Sequence, residues 1–375
     1  MSAFTTFNTK YIECTTGFST SVLDEYISTF NVPVEKVPDF VAALIMMHTN
    51  CTDDQLCVFY EAIFHKAVSR STLANRVEKI NKFIFDQPML TRVNERFAQS
   101  DPEMSNVTCL ADGTSVNIKM PDRESGFKGK CANFQVLTML NADLMTYSGP
   151  FTGRLTDCRN FCEDATDAER TKFCDPSFVT RLSFDHNVKE CIGMDGIYKA
   201  NLHSFVPYEG VNEHATDVTS KKRRMWNYLF TLRRARIERK FGELDRHKFF
   251  HYCLRTVTTV ALMFRLMWNA EIIKARQNPS MAYQDELVPS SAVARSLGPK
   301  CDCNWSGMWP VSHPMRTVIT RYRDALCDDY VLRHPERDVR PPRPSKHESD
   351  AKKRERDDNT PLAVKMGLAK SVIRF

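Results

Sequence analysis

The sequence predicts an α/β layered domain over about residues 106–270, standing behind an all-helical N-terminal region. Three observations carry this. From Asn106 to Tyr147 apolar and polar residues alternate with the period of strands. A long helical pattern from Ser220 to Leu244 comes after them, so the sheet precedes its covering helices. The first hundred residues contain no glycine beyond Gly17, and their apolar positions recur at helical spacing.

The N-terminal region, 1–105, shows this spacing at Phe40, Leu44 and Met47 and again at Leu56, Phe59 and Ile63. A helix from about Asp53 to Ala67 leads through VSRS into a second helix with Leu73, Val77, Ile80 and Ile84 on one face. That is helix-turn-helix order, and its outward face would offer Ser71, Thr72, Asn75, Arg76 and Lys79 to a DNA groove. An ordinary helical hairpin with solvated polar residues fits the same pattern.

The strand region reads as an antiparallel meander: NVTCLADG, SVNIKM, CANFQVLTML and DLMTYSG. A Cys-, Asp- and Glu-rich stretch from Arg159 to Phe173 reads as helical, KECIGMDG as a further strand, and the long helix closes the layer. The apolar run from Thr256 to Ile272 is interrupted by Arg265 and Asn269. It falls short of the ~20 residues of a membrane span, which makes it a buried helix. A C-terminal extension, 271–332, follows. The charged and proline-rich tail over 333–375 is expected to be largely disordered.

Composition bounds the function. A chain of 375 residues that is 42% hydrophobic supports one sizeable core with appendages and excludes a fibrous or wholly disordered protein. The net charge of +6 is mild, so a nucleic-acid partner must be argued from where the charges sit. The thirteen cysteines are scattered, and MSAFTTFNTK has neither the basic nor the apolar segment of a signal peptide; reduced thiols inside a cell, away from a membrane, are expected. Cys301 and Cys303, with His313 nearby, lack the second cysteine pair of a structural zinc site, and unpaired thiols in a loop are the preferred reading.

Chemistry enters through three carboxylates. A nuclease of the two-metal kind must gather acids around ions about 3.5–4 Å apart. Asp112 ends the apolar run VTCLA at an Asp-Gly, placing it at a strand end before a turn, and Asp195 ends ECIGM in the same way. Either Asp-Gly by itself is better read as a hairpin turn that needs no catalysis. Glu238 is the one acid among nine Lys or Arg between Lys221 and Lys240. Helical spacing sets it in a polar row with Asn227, Thr231 and Arg234, with Met225, Leu229 and Leu232 on another face. An Arg234–Glu238 surface pair is the plainer account of that row. The cluster Lys221, Lys222, Arg223 and Arg224 suits phosphate binding or nuclear import.

Taken in order, ADGTSVNIKMP, KGKCANFQVL, GPFTGRLTDCRNF, GMDGIY and MWNYLFTLRRARIERKFGEL resemble the DDE superfamily endonuclease domain of Harbinger-type transposases and their domesticated relatives. The resemblance covers about residues 106–250. It implies a ribonuclease-H-like fold, a mixed five-stranded sheet flanked by helices, with Asp112, Asp195 and Glu238 as catalytic triad and metal ligands. The last two stand 43 positions apart, similar to the family's gap. Asn227, Arg234, Phe241 and Gly242 sit at the family's helix spacing, and Gly153, Asp157, Arg159 and Phe161 match its Gly-x-x-His-Asp segment, with Thr156 where that family usually has His. Asp157, Asn227 and Arg234 are the supporting residues.

The resemblance further implies a nuclear enzyme that uses two Mg²⁺ or Mn²⁺ ions to cut DNA, and a Myb-like DNA-binding partner; a homo-oligomer is compatible with it. Its alternative is a domesticated, catalytically inactive DNA-binding or scaffold protein. Carboxylates spread beyond about 10 Å would exclude the enzyme.

Overall fold

The computed structural model describes residues 4, 9–98, 107–118, 124–125, 129–152, 170–175, 191–198, 204–211, 215–250, 253, 256–278, 324 and 328. Asp157 with the rest of its segment, residues 279–323, the tail, and the Cys301, Cys303 and His313 group lie outside them.

Five helices come first: α1 (Thr9–Thr16), α2 (Thr20–Thr29), α3 (Val37–Thr49), α4 (Asp53–Phe64) and α5 (Arg70–Phe85). Their ends follow from local chemistry. Thr52 and Gln55 form a reciprocal capping box at the start of α4, and Ser69 accepts from Thr72 N at the start of α5. The expected apolar stripe of α5 is buried: Leu73, Val77, Ile80 and Ile84. Helix α3 is buried nearly all round, from Phe40 to Met47, because α1, α4, α5 and the last helix surround it.

The sheet has the order β5-β4-β3-β1-β6-β7, with a short β2 paired to β3. Its strands are β1 (Val107–Asn117), β2 (Glu124–Ser125), β3 (Gly129–Met139), β4 (Leu144–Thr152), β5 (Arg170–Asp175), β6 (Cys191–Gly193) and β7 (Ser204–Phe205). β1, β3, β4 and β5 pair antiparallel, whereas β6 runs parallel to β1 and β7 parallel to β6. The chain is thus a mixed α/β fold.

Two expectations are corrected here. NVTCLADG and SVNIKM are not separate strands about a turn: β1 runs through Asp112 and Gly113, which pair with Val136 and Gln135 of β3. A partner strand along this whole length satisfies the backbone without a hairpin. The stretch Arg159–Phe173, read as helical, ends in strand at Arg170–Asp175, where Phe151↔Arg170 and Gly149↔Asp175 pairing recruits it to β4.

Helix α6 (Val218–Leu244) starts at the N-cap Asp217, and α7 (Val257–Gln277) at Thr256. Trp226 and Phe230 of α6 are buried with Val107, Leu110, Leu140 and Tyr208. The buried stripe of α6 runs through Trp226, Phe230, Arg233 and Ile237; the Met225, Leu229 and Leu232 side chains lie outside the description. On α7, Phe264 stacks on Phe134 with ring centroids 3.7 Å apart, and edges of Tyr147 and Trp268 complete the cluster. This core is continuous with that of α1 to α5.

The residues that interrupt the apolar run of α7 are spent on contacts. Arg265 Nε donates to Tyr147 Oη, and its Nη1 to the carbonyls of Phe85 and Gln87. Asn269 accepts from Leu90 N and donates to Tyr26 Oη. No described helix is long and apolar enough to cross a membrane.

A polar seam joins α3, the end of α6 and α7. His48 Nδ1 meets His247 Nδ1 at 3.1 Å, His247 is fully buried against Phe18, and its Nε2 lies 3.5 Å from Glu271. Arg246 pairs with Glu271, and Lys240 and Lys274 lie 3.7 and 4.0 Å from it. Burial alone would raise the Glu271 pKa. The hydrogen bond to His247 and the charges of Arg246, Lys240 and Lys274 outweigh it and hold the carboxyl at about 2. The seam anchors the C-terminal end of α6 and thereby the helix that carries Glu238.

Candidate active site

Each of the three predicted acids comes from a different element. Asp112 projects from the middle of β1, the central strand between β3 and β6, where the sequence reading set it at a strand end. Its Oδ1 accepts from Gly113 N at 2.8 Å within the strand. Asp195 stands two residues past β6, and its Oδ1 accepts from Gly196 N at 2.6 Å. Glu238 is near the C-terminal end of α6.

Two features hold Asp195 beside β1. Leu110 is paired with Gly193, and a Cβ on that glycine would lie 2.8 Å from the tip of the leucine side chain, so the leucine packs over the strand where the glycine leaves room. Downstream of the acid, Tyr198 N donates to the Asp195 carbonyl, and Tyr198 Oη donates to Gln135 Oε1 at 2.8 Å. Gln135 is the β3 residue opposite Gly113. The tyrosine therefore fastens the Asp195 turn to the strand beside Asp112. Sequence reasoning missed Gln135, because nothing local marks a glutamine in an alternating strand as a tether.

The three carboxylates converge on one guanidinium. Arg234 Nη2 lies 3.6 Å from Asp112 Oδ2 and hydrogen-bonds Glu238 Oε1, while Nη1 lies 3.2 Å from Asp195 Oδ1. Oxygens that share one nitrogen in this way lie within about 7 Å of each other. The Asp112 side chain is 17% exposed, Asp195 48%, Glu238 57% and Arg234 19%, so the cluster opens to solvent on the glutamate side. Arg234 Nε is buried without a hydrogen-bond partner among the described residues.

Hard oxygen donors carrying three negative charges suit Mg²⁺ or Mn²⁺, and the guanidinium already marks their common focus as a cation position. Among the described residues, no three His, Cys, Asp or Glu side chains are gathered to hold a metal ion as they stand. In the triad the guanidinium stands between them.

The other nominated residues divide. Asn227 is structural: its side chain donates to the Tyr208 carbonyl and accepts from Tyr208 N. At the start of α6, Lys222 pairs with Asp328 at 2.8 Å, Arg223 lies over the Tyr208 ring, Arg224 donates to the Ala215 carbonyl, and Lys221 is half-buried. On α5, Ser71, Thr72, Asn75 and Lys79 are exposed, although Ser69 Oγ donates to Thr72 Oγ1. Arg76 lies beside Thr72 and Lys79 at helical spacing, at the edge of that face. It is half-buried and lines a cavity of about 300 Å³ with Lys36, Asp39, Tyr60 and Lys66. Comparison of the chain with protein-family models, curated proteins and solved structures finds no match.

Proposed function

We propose that this chain is a DDE-type, metal-dependent DNA endonuclease with a ribonuclease-H-like catalytic fold, using Asp112, Asp195 and Glu238. The observation that carries the reading is their convergence: acids from β1, the turn after β6 and α6 meet at one guanidinium. The mixed sheet, with Asp112 on its central strand and helices packed on it, is the support for the fold.

In this reading the three carboxylates hold Mg²⁺ or Mn²⁺, whose chemistry is to activate water and stabilise the leaving oxygen at a phosphodiester. The chain's own part is positional. Gly113 N occupies Asp112 Oδ1 and leaves Oδ2 toward the common point, Asp195 Oδ1 faces that point while also accepting from Gly196 N, and Tyr198 keeps the Asp195 turn against β3. The exposed residues Ser71, Asn75 and Lys79 of α5 are the proposed DNA-facing group in the N-terminal helices.

A second reading is a DNA-binding or scaffold protein in which the acids have become structural. Arg234 favours it, since a guanidinium bridges the three acids and offsets part of their charge without any metal. Cleavage of duplex DNA in Mg²⁺ or Mn²⁺, run beside Asp112→Asn, Asp195→Asn and Glu238→Gln, separates the two. Metal-dependent cutting lost in each variant supports the nuclease. Salt-sensitive DNA binding without cutting, in the presence of a Myb-like partner as well, supports the scaffold.

A further inference from the structure

We infer that Arg234 is a built-in competitor for the divalent ion: the guanidinium and a metal are alternative occupants of the point where Asp112, Asp195 and Glu238 meet. The inference rests on the nuclease reading and adds to it a control on metal loading.

Geometry supplies the first step. One side chain contacts all three acids, with Nη2 shared by Asp112 and Glu238 and Nη1 directed at Asp195. A guanidinium offers five donors in a plane, and here its two terminal nitrogens bridge acids from three separate elements, a role that a surface pair with Glu238 alone would not need. An ion coordinated by carboxylates sits about 2.0–2.2 Å from their oxygens. That volume overlaps the terminal nitrogens, so the two cations exclude each other.

The second step is the state of the arm. Arg234 is mostly buried, and its Nε has no partner among the described residues, so the side chain is held in place by its terminal nitrogens alone. A buried N–H left without an acceptor weakens the hold of the resting arrangement. The arm therefore has a reason to leave once an ion satisfies the acids. Because Arg234 lies one helical turn before Glu238, the released guanidinium stays at the rim of the site, where its fork suits a phosphate oxygen pair.

The third step is charge. Three carboxylates so close together are costly without a cation, and Arg234 offsets that cost. Removing it leaves the acids underneutralised, and the metal recovers the whole of that interaction.

The test is Mn²⁺ binding to the EDTA-stripped full chain, read by calorimetry and by the loss of free-Mn²⁺ paramagnetic resonance. Arg234→Gln is expected to bind at least tenfold tighter than the wild type, which is about 1.4 kcal/mol. It should also gain more melting temperature on Mn²⁺ addition. Arg239→Gln removes the same charge from the same helix at an exposed position and is expected to stay within threefold of the wild type. Arg234→Lys keeps the charge without the fork, should fall between, and serves as the binding test if the glutamine variant does not fold. Equal affinity in Arg234→Gln, Arg234→Lys and the wild type, with binding abolished by Asp112→Asn, overturns the competitor and leaves the nuclease reading standing. No Mn²⁺ binding in any variant overturns both.

Discussion

Acid should loosen the seam between α3, α6 and α7 before it touches the rest of the fold. Two imidazoles meeting Nδ1 to Nδ1 at 3.1 Å need one protonated and one bare nitrogen, so a proton on both rings sets N–H against N–H. Burial pushes the His48 pKa from 6.5 to about 4, helped by His247, Arg246 and Lys248, and burial lowers His247 as well. The sign follows. Both histidines are neutral in the fold, while in the unfolded chain they take up protons near pH 6.5, so stability is full above that value and falls as pH drops toward 4. At about 1.36 kcal/mol per pH unit, His48 would contribute roughly 3 kcal/mol between these limits, discounted to on the order of 2 kcal/mol because the ring is half-exposed. Glu271 acts in a separate window: its contribution is present above pH 4.5 and lost as pH falls toward about 2. The assay is urea unfolding at pH 7.5, 6.5, 5.5 and 4.5 for the wild type and His48→Gln, which cannot titrate. The wild type should lose about 2 kcal/mol more than the variant across that range. Parallel curves would refute the assignment to His48.

Three further perturbations test the packing that presents the site. Phe264→Ala removes the ring stacked on Phe134 at 3.7 Å and should cost about 3–5 kcal/mol in urea unfolding. Arg92→Met removes the 2.9 Å ion pair with buried Asp143; a loss of about 3–5 kcal/mol is expected, and Arg92→Met with Asp143→Leu should recover much of it. Tyr198→Phe deletes the hydrogen bond to buried Gln135 and should cost about 1–3 kcal/mol, with faster amide exchange in the Asp195 turn. An unchanged exchange rate there would mean that the tyrosine does not tether the turn.

What could be read in advance was the inventory of chemical groups and the order of the elements. The helical spacing of α3, α4 and α5, the long helix bearing Glu238, the strand before Asp195 and the buried helix after it announce themselves through periodicity. Asp112 shows why local signals stop short. Asp-Gly between apolar runs is a hairpin signal, yet β3 pairs with β1 across it, and a long-range partner outranks a local turn preference. The edge strand Arg170–Asp175 was hidden for the same reason, since its strand character comes from β4 rather than from its own alternation. Arg234 was legible as a neighbour of Glu238 at helical spacing. Its contacts with Asp112 and Asp195 depend on how α6 lies over the sheet, which no window of sequence contains.

That placement is over-determined. Toward its start, α6 is seated by Trp226 and Phe230 against Val107 and Leu110, and by Asn227 bonded twice to the Tyr208 backbone. Midway, Arg236 donates to the Leu140 carbonyl at 2.9 Å. At its far end Lys240, with Arg246 and His247 just beyond, gathers around Glu271. Arg234 and Glu238 lie between these anchors. Sliding the helix by one residue would turn every side chain by about 100° and break all three sets of contacts together. A helix held this way can keep three like charges around a single point, because the repulsion between the acids is resisted by packing that lies outside the site.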